Sequence, residues 1–71
     1  MKKQKGPILI WKESDISFDL MIGKRCVATA YKSGYWHTWD HNGVGGENSR
    51  EADVKRAKIE AAASAIEQGF I

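Results

Sequence analysis

Tyr35-Trp36-His37-Thr38-Trp39-Asp40, followed by His41-Asn42-Gly43-Val44-Gly45-Gly46, is the stretch that decides how this chain folds. Aromatic and β-branched residues suit a pleated strand, and the glycines after them allow a turn with positive φ. Next comes Asn48-Ser49-Arg50-Glu51, a capping-box pattern in which an N-cap side chain is followed three positions later by glutamate. The alanine-rich segment beyond it places Val54, Ala57, Ala61, Ala65 and Gln68 on one stripe of a helix. Gly69 is a natural residue to end that helix, and Phe70 after it can fold back onto the last turn. The spacing predicts a strand, a glycine turn and a covering helix opened by Asn48–Glu51. About 17–20 helical residues would reach about 25–30 Å, enough to cross a small sheet.

Towards the amino terminus, Lys32-Ser33-Gly34 reads as a turn and Arg25 to Tyr31 as a strand. Ile16, Phe18, Leu20 and Ile22 fall on alternate positions, with Ser17 and Asp19 between, the period of a half-buried strand. Gly23-Lys24 between the two suits a type II′ hairpin turn. That turn sets Leu20 opposite Val27 and Phe18 opposite Thr29, with Cys26, Ala28 and Ala30 on the other face. Ile8-Leu9-Ile10-Trp11 is a short apolar strand before the turn Glu13-Ser14-Asp15, and Lys2 to Pro7 is a basic arm. The expected fold is α+β: a three- or four-stranded antiparallel meander packed on one long C-terminal helix (βββα). Residues 1–7 form the arm and 8–71 the single domain.

Composition narrows the classes. At 71 residues and 42% hydrophobic, the chain has enough apolar side chain for one small core. Eleven Lys and Arg against nine Asp and Glu leave a net charge of +2 and a pI near 8.8. That balance permits nucleic-acid or acidic-protein partners without demanding them. Cys26 is the sole cysteine, so no intramolecular disulfide forms, which suits a reducing compartment. The apolar run behind the basic start is too short for a secretory signal or a membrane span. The expectation is a cytoplasmic protein with no membrane partner.

Few residues suggest reaction chemistry. His37, Asp40 and His41 would bind a metal only if a bend at Asp40 made them converge, since strand positions three apart face opposite ways. Cys26 sits in strand context with no orienting base and third group, so it reads as a small packed residue. The glycine turn lacks the Lys-Ser/Thr of a P-loop and reads as a plain loop. No catalytic residue, cofactor or metal is expected, and the chain is read as non-enzymatic.

The rings point elsewhere. Alternation puts Tyr35, His37 and Trp39 on one face of their strand and Trp36 and Thr38 on the other. A single helix covers one face, so one aromatic set is core and the other stays accessible. Trp36 or Trp39 would then stack on bases while Arg50, Lys55 and Arg56, near the expected helix start, contact phosphate, with Lys12, Lys24, Arg25 and Lys32 also in reach. The same rings equally form a hot spot for a protein partner, or a homodimer surface on the open sheet face.

Trp36-His37-Thr38-Trp39-Asp40, Gly43-Val44-Gly45-Gly46-Glu47-Asn48-Ser49 and Ala57-Lys58-Ile59-Glu60-Ala61-Ala62 together resemble small proteins of tailed phages and prophages, over roughly residues 20 to 68. The resemblance implies an accessory protein in the host-cell cytoplasm, with a host protein as the alternative partner. More loosely, the strands, glycine loop and Ala-rich helix are similar to the C-terminal part of double-stranded-RNA-binding domains. In that family a basic run at the helix start grips phosphates. The nearest matches here are Arg50, Lys55, Arg56 and Lys58, interrupted by Glu51 and Asp53 and set about one turn late, and the family's first helix has no counterpart.

Overall fold

The computed structural model describes residues 9–71. The basic arm expected over 1–7, and Ile8, lie outside the described residues. The chain forms β1 (Leu9–Glu13), β2 (Ser17–Ile22), β3 (Arg25–Tyr31), β4 (Tyr35–Trp39), β5 (Gly45–Arg50) and α1 (Val54–Glu67). The strands pair in chain order as one antiparallel sheet, β1-β2-β3-β4-β5, with α1 packed on one face. The fold is thus the expected α+β meander with a C-terminal helix, but with five strands rather than three or four. None of the helix in the described residues is long and apolar enough to cross a membrane.

The extra strand is β5. Its backbone pairs with β4, Ser49 lying opposite Trp36 and Asn48 opposite His37. Asn48-Ser49-Arg50 therefore belongs to a sheet edge, with Glu51 just past its end, and the pattern is not a capping box. Asp53 caps the helix instead: its extended backbone (φ −153°, ψ 172°) precedes the first turn, and its carboxylate accepts from the Arg56 amide at 2.9 Å. The helix that results has 14 residues, about 21 Å, shorter than the spacing predicts. It ends as expected: Gly69 has φ +81°, its amide donates to Ile66 O at 3.0 Å, and Phe70 N–H donates to Ala65 O at 2.9 Å.

The β2–β3 hairpin also departs from simple alternation. Met21 faces Cys26, but Leu20 faces Ala28 and Phe18 faces Ala30, because Val27 is an additional residue in β3. This bulge replaces the expected Leu20–Val27 and Phe18–Thr29 pairs. It lets Val27 and Ala28 both be buried, neither retaining measurable exposure. It also separates Cys26 from Ala28 and Ala30, with which simple alternation groups it.

The core joins Leu20, Val27, Ala28, Ala30 and Trp36 of the sheet to Ala57, Ala61 and Ala65 of α1. Small side chains on both layers let the helix axis approach the sheet closely, and the Trp36 ring fills much of the space between. A polar node closes one side of this interface. Thr38 Oγ1 donates to Glu47 O at 3.0 Å, Gln68 Nε2 donates to Thr38 Oγ1 at 2.9 Å, and Glu47 N–H donates to Gln68 Oε1 at 3.1 Å. Strands β4 and β5 and the end of α1 are thereby tied by bonds that leave few buried polar groups unmet. The helix lies over β3, β4 and β5. Among the described residues, two surfaces are left uncovered by α1: the opposite face of the sheet, and the β1–β2 flank on the helix side.

Candidate functional site

The opposite face carries the rings. On β4, alternation sends Trp36 and Thr38 under the helix, where they are buried, and turns Tyr35, His37 and Trp39 to the open side, each half-buried. Tyr31, at the end of β3, joins them. Tyr31 and Tyr35 stack with centroids 5.8 Å apart, Tyr31 and His37 lie nearly parallel (9°) at 6.0 Å, and His37 meets Trp39 edge-on at 4.2 Å. Four rings thus form one continuous stripe. At the Tyr35 end the Arg50 guanidinium lies 5.9 Å from the ring centroid, its residue directly opposite Tyr35 in the β4–β5 register.

At the other end the stripe is braced by polar bonds. Trp39 Nε1–H donates to Thr29 Oγ1 at 3.1 Å, and Thr29 Oγ1 in turn donates to Asp19 Oδ1 at 2.9 Å. Beside them a cleft of about 470 Å³ opens between Asp19, Arg25, Cys26, Thr29 and Trp39. This network holds the Trp39 indole in one orientation and leaves a carboxylate on the same face as the rings.

Titration follows from these surroundings. Burial lowers the His37 pKa below its usual value, only partly offset by the Asp19 carboxylate, so the ring is neutral at pH 7. Burial raises the Cys26 pKa, with the Thr29 hydroxyl pulling the other way, and the thiol donates to Ala28 O at 3.3 Å. Cys26 is held as a thiol, the reverse of an activated nucleophile. Asp40 has its pKa lowered by the amides of Val44 and Asn42, which donate to its Oδ1 at 2.9 and 2.8 Å. Those bonds also occupy turn amides that a phosphate cradle would need. His41 points away from His37, placing Nε2 3.2 Å from Gly69 O. Among the described residues no three His, Cys, Asp or Glu side chains gather to hold a metal ion.

The residues expected to contact nucleic acid fall in three places. Trp36 is only 4% exposed and donates Nε1–H to Glu51 Oε2 at 3.0 Å, so it has no free ring face to offer a base. Trp39 and Arg50 share the open face. Lys55 and Arg56 lie on α1, in the other layer, and Arg56 pairs with Glu60 at 3.6 Å. The basic residues near the helix start therefore do not join the aromatic surface; Arg50 joins it because it belongs to β5. Sequence reasoning left Tyr31 out of the site, although its place at the end of a strand with Thr29 one alternate position before it marks the same face. Lys12 also belongs to this face, being the register partner of Asp19. No known protein family, curated protein or solved structure matches this chain.

Proposed function

We propose that this chain is a small non-enzymatic protein that binds single-stranded nucleic acid on its open sheet face. The observation that carries the reading is the stripe Tyr35–Tyr31–His37–Trp39 with Arg50 at its head. Ring faces and edges on an uncovered sheet offer stacking to successive bases whatever their identity. Arg50 and Lys12 are placed to meet phosphates, and Asp19 offers an acceptor to exocyclic amino groups. A sheet platform suits a strand with splayed bases better than a duplex, whose bases are already stacked. The phage or prophage origin rests on the sequence resemblance over residues 20 to 68.

Binding of labelled single- and double-stranded DNA and RNA to the purified protein tests this. Micromolar binding to single strands, weaker for duplex and lost in Trp39→Ala, supports the reading. No binding to any of the four at low salt overturns it and assigns the same rings to a protein partner or to a second copy of the chain.

A further inference from the structure

A second surface lies on the helix side, independent of the open face. A helix with its side chains is about 10 Å across, whereas five strands spaced about 4.8 Å apart span roughly twice that. One helix cannot cover such a sheet, and α1 sits over β3–β5. The uncovered flank is apolar. Trp11 of β1 and Phe18 of β2 form its floor, and Ile59 and Ile66 of α1 form its wall, in a groove of about 650 Å³. Both isoleucines are more than half exposed, at 53% and 59%. Isoleucines facing water on a helix whose opposite stripe is already buried mark a second packing surface.

Charge states what fits there. Among the described residues lining the groove the only charged ones are Lys55 and Lys58, with no carboxylate. Lys58 Nζ lies 4.2 Å from the Phe18 ring centroid and 5.2 Å from that of Trp11, covering the floor with a side chain that can swing aside. We infer that this groove is the seat for a second helix supplied by a partner protein: an amphipathic helix with an apolar ridge and carboxylates beside it. The ridge fills the space between α1 and β1–β2, and the carboxylates take Lys55 and Lys58. A second copy of α1 fits less well, because it would bring its own Lys55 and Lys58 towards this basic rim. Residues 1–8 carry three lysines and no acid, so their charge does not match either.

The test is calorimetric titration of the full chain with a synthetic amphipathic helix of about four turns, leucines on one face and glutamates beside them. The comparison is the same peptide with lysines for glutamates. The expected result is micromolar binding of the glutamate peptide, at least tenfold tighter than the lysine peptide. Ile59→Glu should abolish it, and the pair Lys55→Glu/Lys58→Glu should reverse the preference. Ile66→Glu reads the same wall should Ile59→Glu fail to fold. Equal affinity for both peptides, or none for either, overturns the proposal. So does a dimer in sedimentation that Ile59→Glu dissolves, which gives the groove to a second copy. Binding that appears only once residues 1–8 are removed overturns it too, giving the groove to the chain's own start.

Discussion

Trp36 and Trp39 stand three residues apart on one strand, and that odd spacing sends them to opposite layers with opposite duties. Trp36 fills the space under α1, so Trp36→Ala should cost about 3–5 kcal/mol, most of the stability of a domain this small. Trp39→Ala leaves the core intact and should instead weaken single-strand binding by roughly 1–3 kcal/mol, the scale of one stacked base. Thermal unfolding beside binding titrations of the two variants separates the duties. Alternation shows that the strand has two faces but not which is covered. The answer lies in the partners of Trp36 across the sheet, Ala30 and Ser49, small residues that leave room for a helix. His37 adds a pH dependence. Its pKa is lowered in the folded state, so as pH falls below its usual value near 6.5 the unfolded chain takes up the proton first. This contribution to stability is complete above pH 6.5 and is lost as pH falls through the lowered folded value. Urea midpoints should decline across that window, and His37→Gln should flatten the decline; an unchanged slope would show that burial does not govern this ring.

At the scale of elements, β2 and β4 are legible from their alternation, β3 from the Gly23-Lys24 turn before it, and the helix from its small-residue stripe. Strand β1 shows only as a short apolar run that does not reveal its pairing. Strand β5 is not legible. Gly45-Gly46-Glu47-Asn48-Ser49-Arg50 contains glycines and polar residues of low strand propensity, and its strand state comes from pairing with β4 and from the bonds of Glu47 to Thr38 and Gln68. Local chemistry favoured a cap; tertiary pairing overrode it. Two substitutions test the outcome. Asp53→Ala removes the observed cap and should cost about 1 kcal/mol, whereas Asn48→Ala should lie within about 0.5 kcal/mol of wild type. The opposite ranking in chemical denaturation would restore the capping box. Gly34→Ala addresses the neighbouring turn. Gly34 has φ +101°, and a Cβ there would fall 2.4 Å from the Glu51 carbonyl oxygen. That backbone cannot yield without parting the Glu51 amide from Gly34 O, a bond of 2.8 Å. The change should therefore cost more than about 2 kcal/mol in the same measurement.

For the whole molecule, the arrangement of charge matters more than its sum. A net charge of +2 distributed evenly says little, but the layers divide the cations. Lys55, Arg56 and Lys58 ride on α1, while Arg50 and Lys12 lie on the open face beside the rings. Lys24 and Arg25 line the cleft at the Trp39 end, and the Arg25 guanidinium is already engaged by Phe70 O. A strand laid along the rings therefore meets about two phosphate-binding cations, and the salt slope for single strands should be near −1.4. Affinity should then fall only about sevenfold between 50 and 200 mM salt, because stacking, which releases no counterions, supplies the rest. The sequence alone grouped Arg50, Lys55 and Arg56 at one helix start and implied a steeper dependence. The layering corrects this, since Arg50 is the one member of that group on the aromatic face. Arg50→Ala should lower the slope by about 0.7, and Arg56→Ala should leave it unchanged. A slope of about −3, or a drop on Arg56→Ala equal to that on Arg50→Ala, would place the nucleic acid across the helix instead. Single-strand titrations at four or five salt concentrations, run on the three proteins in parallel, decide between the two faces.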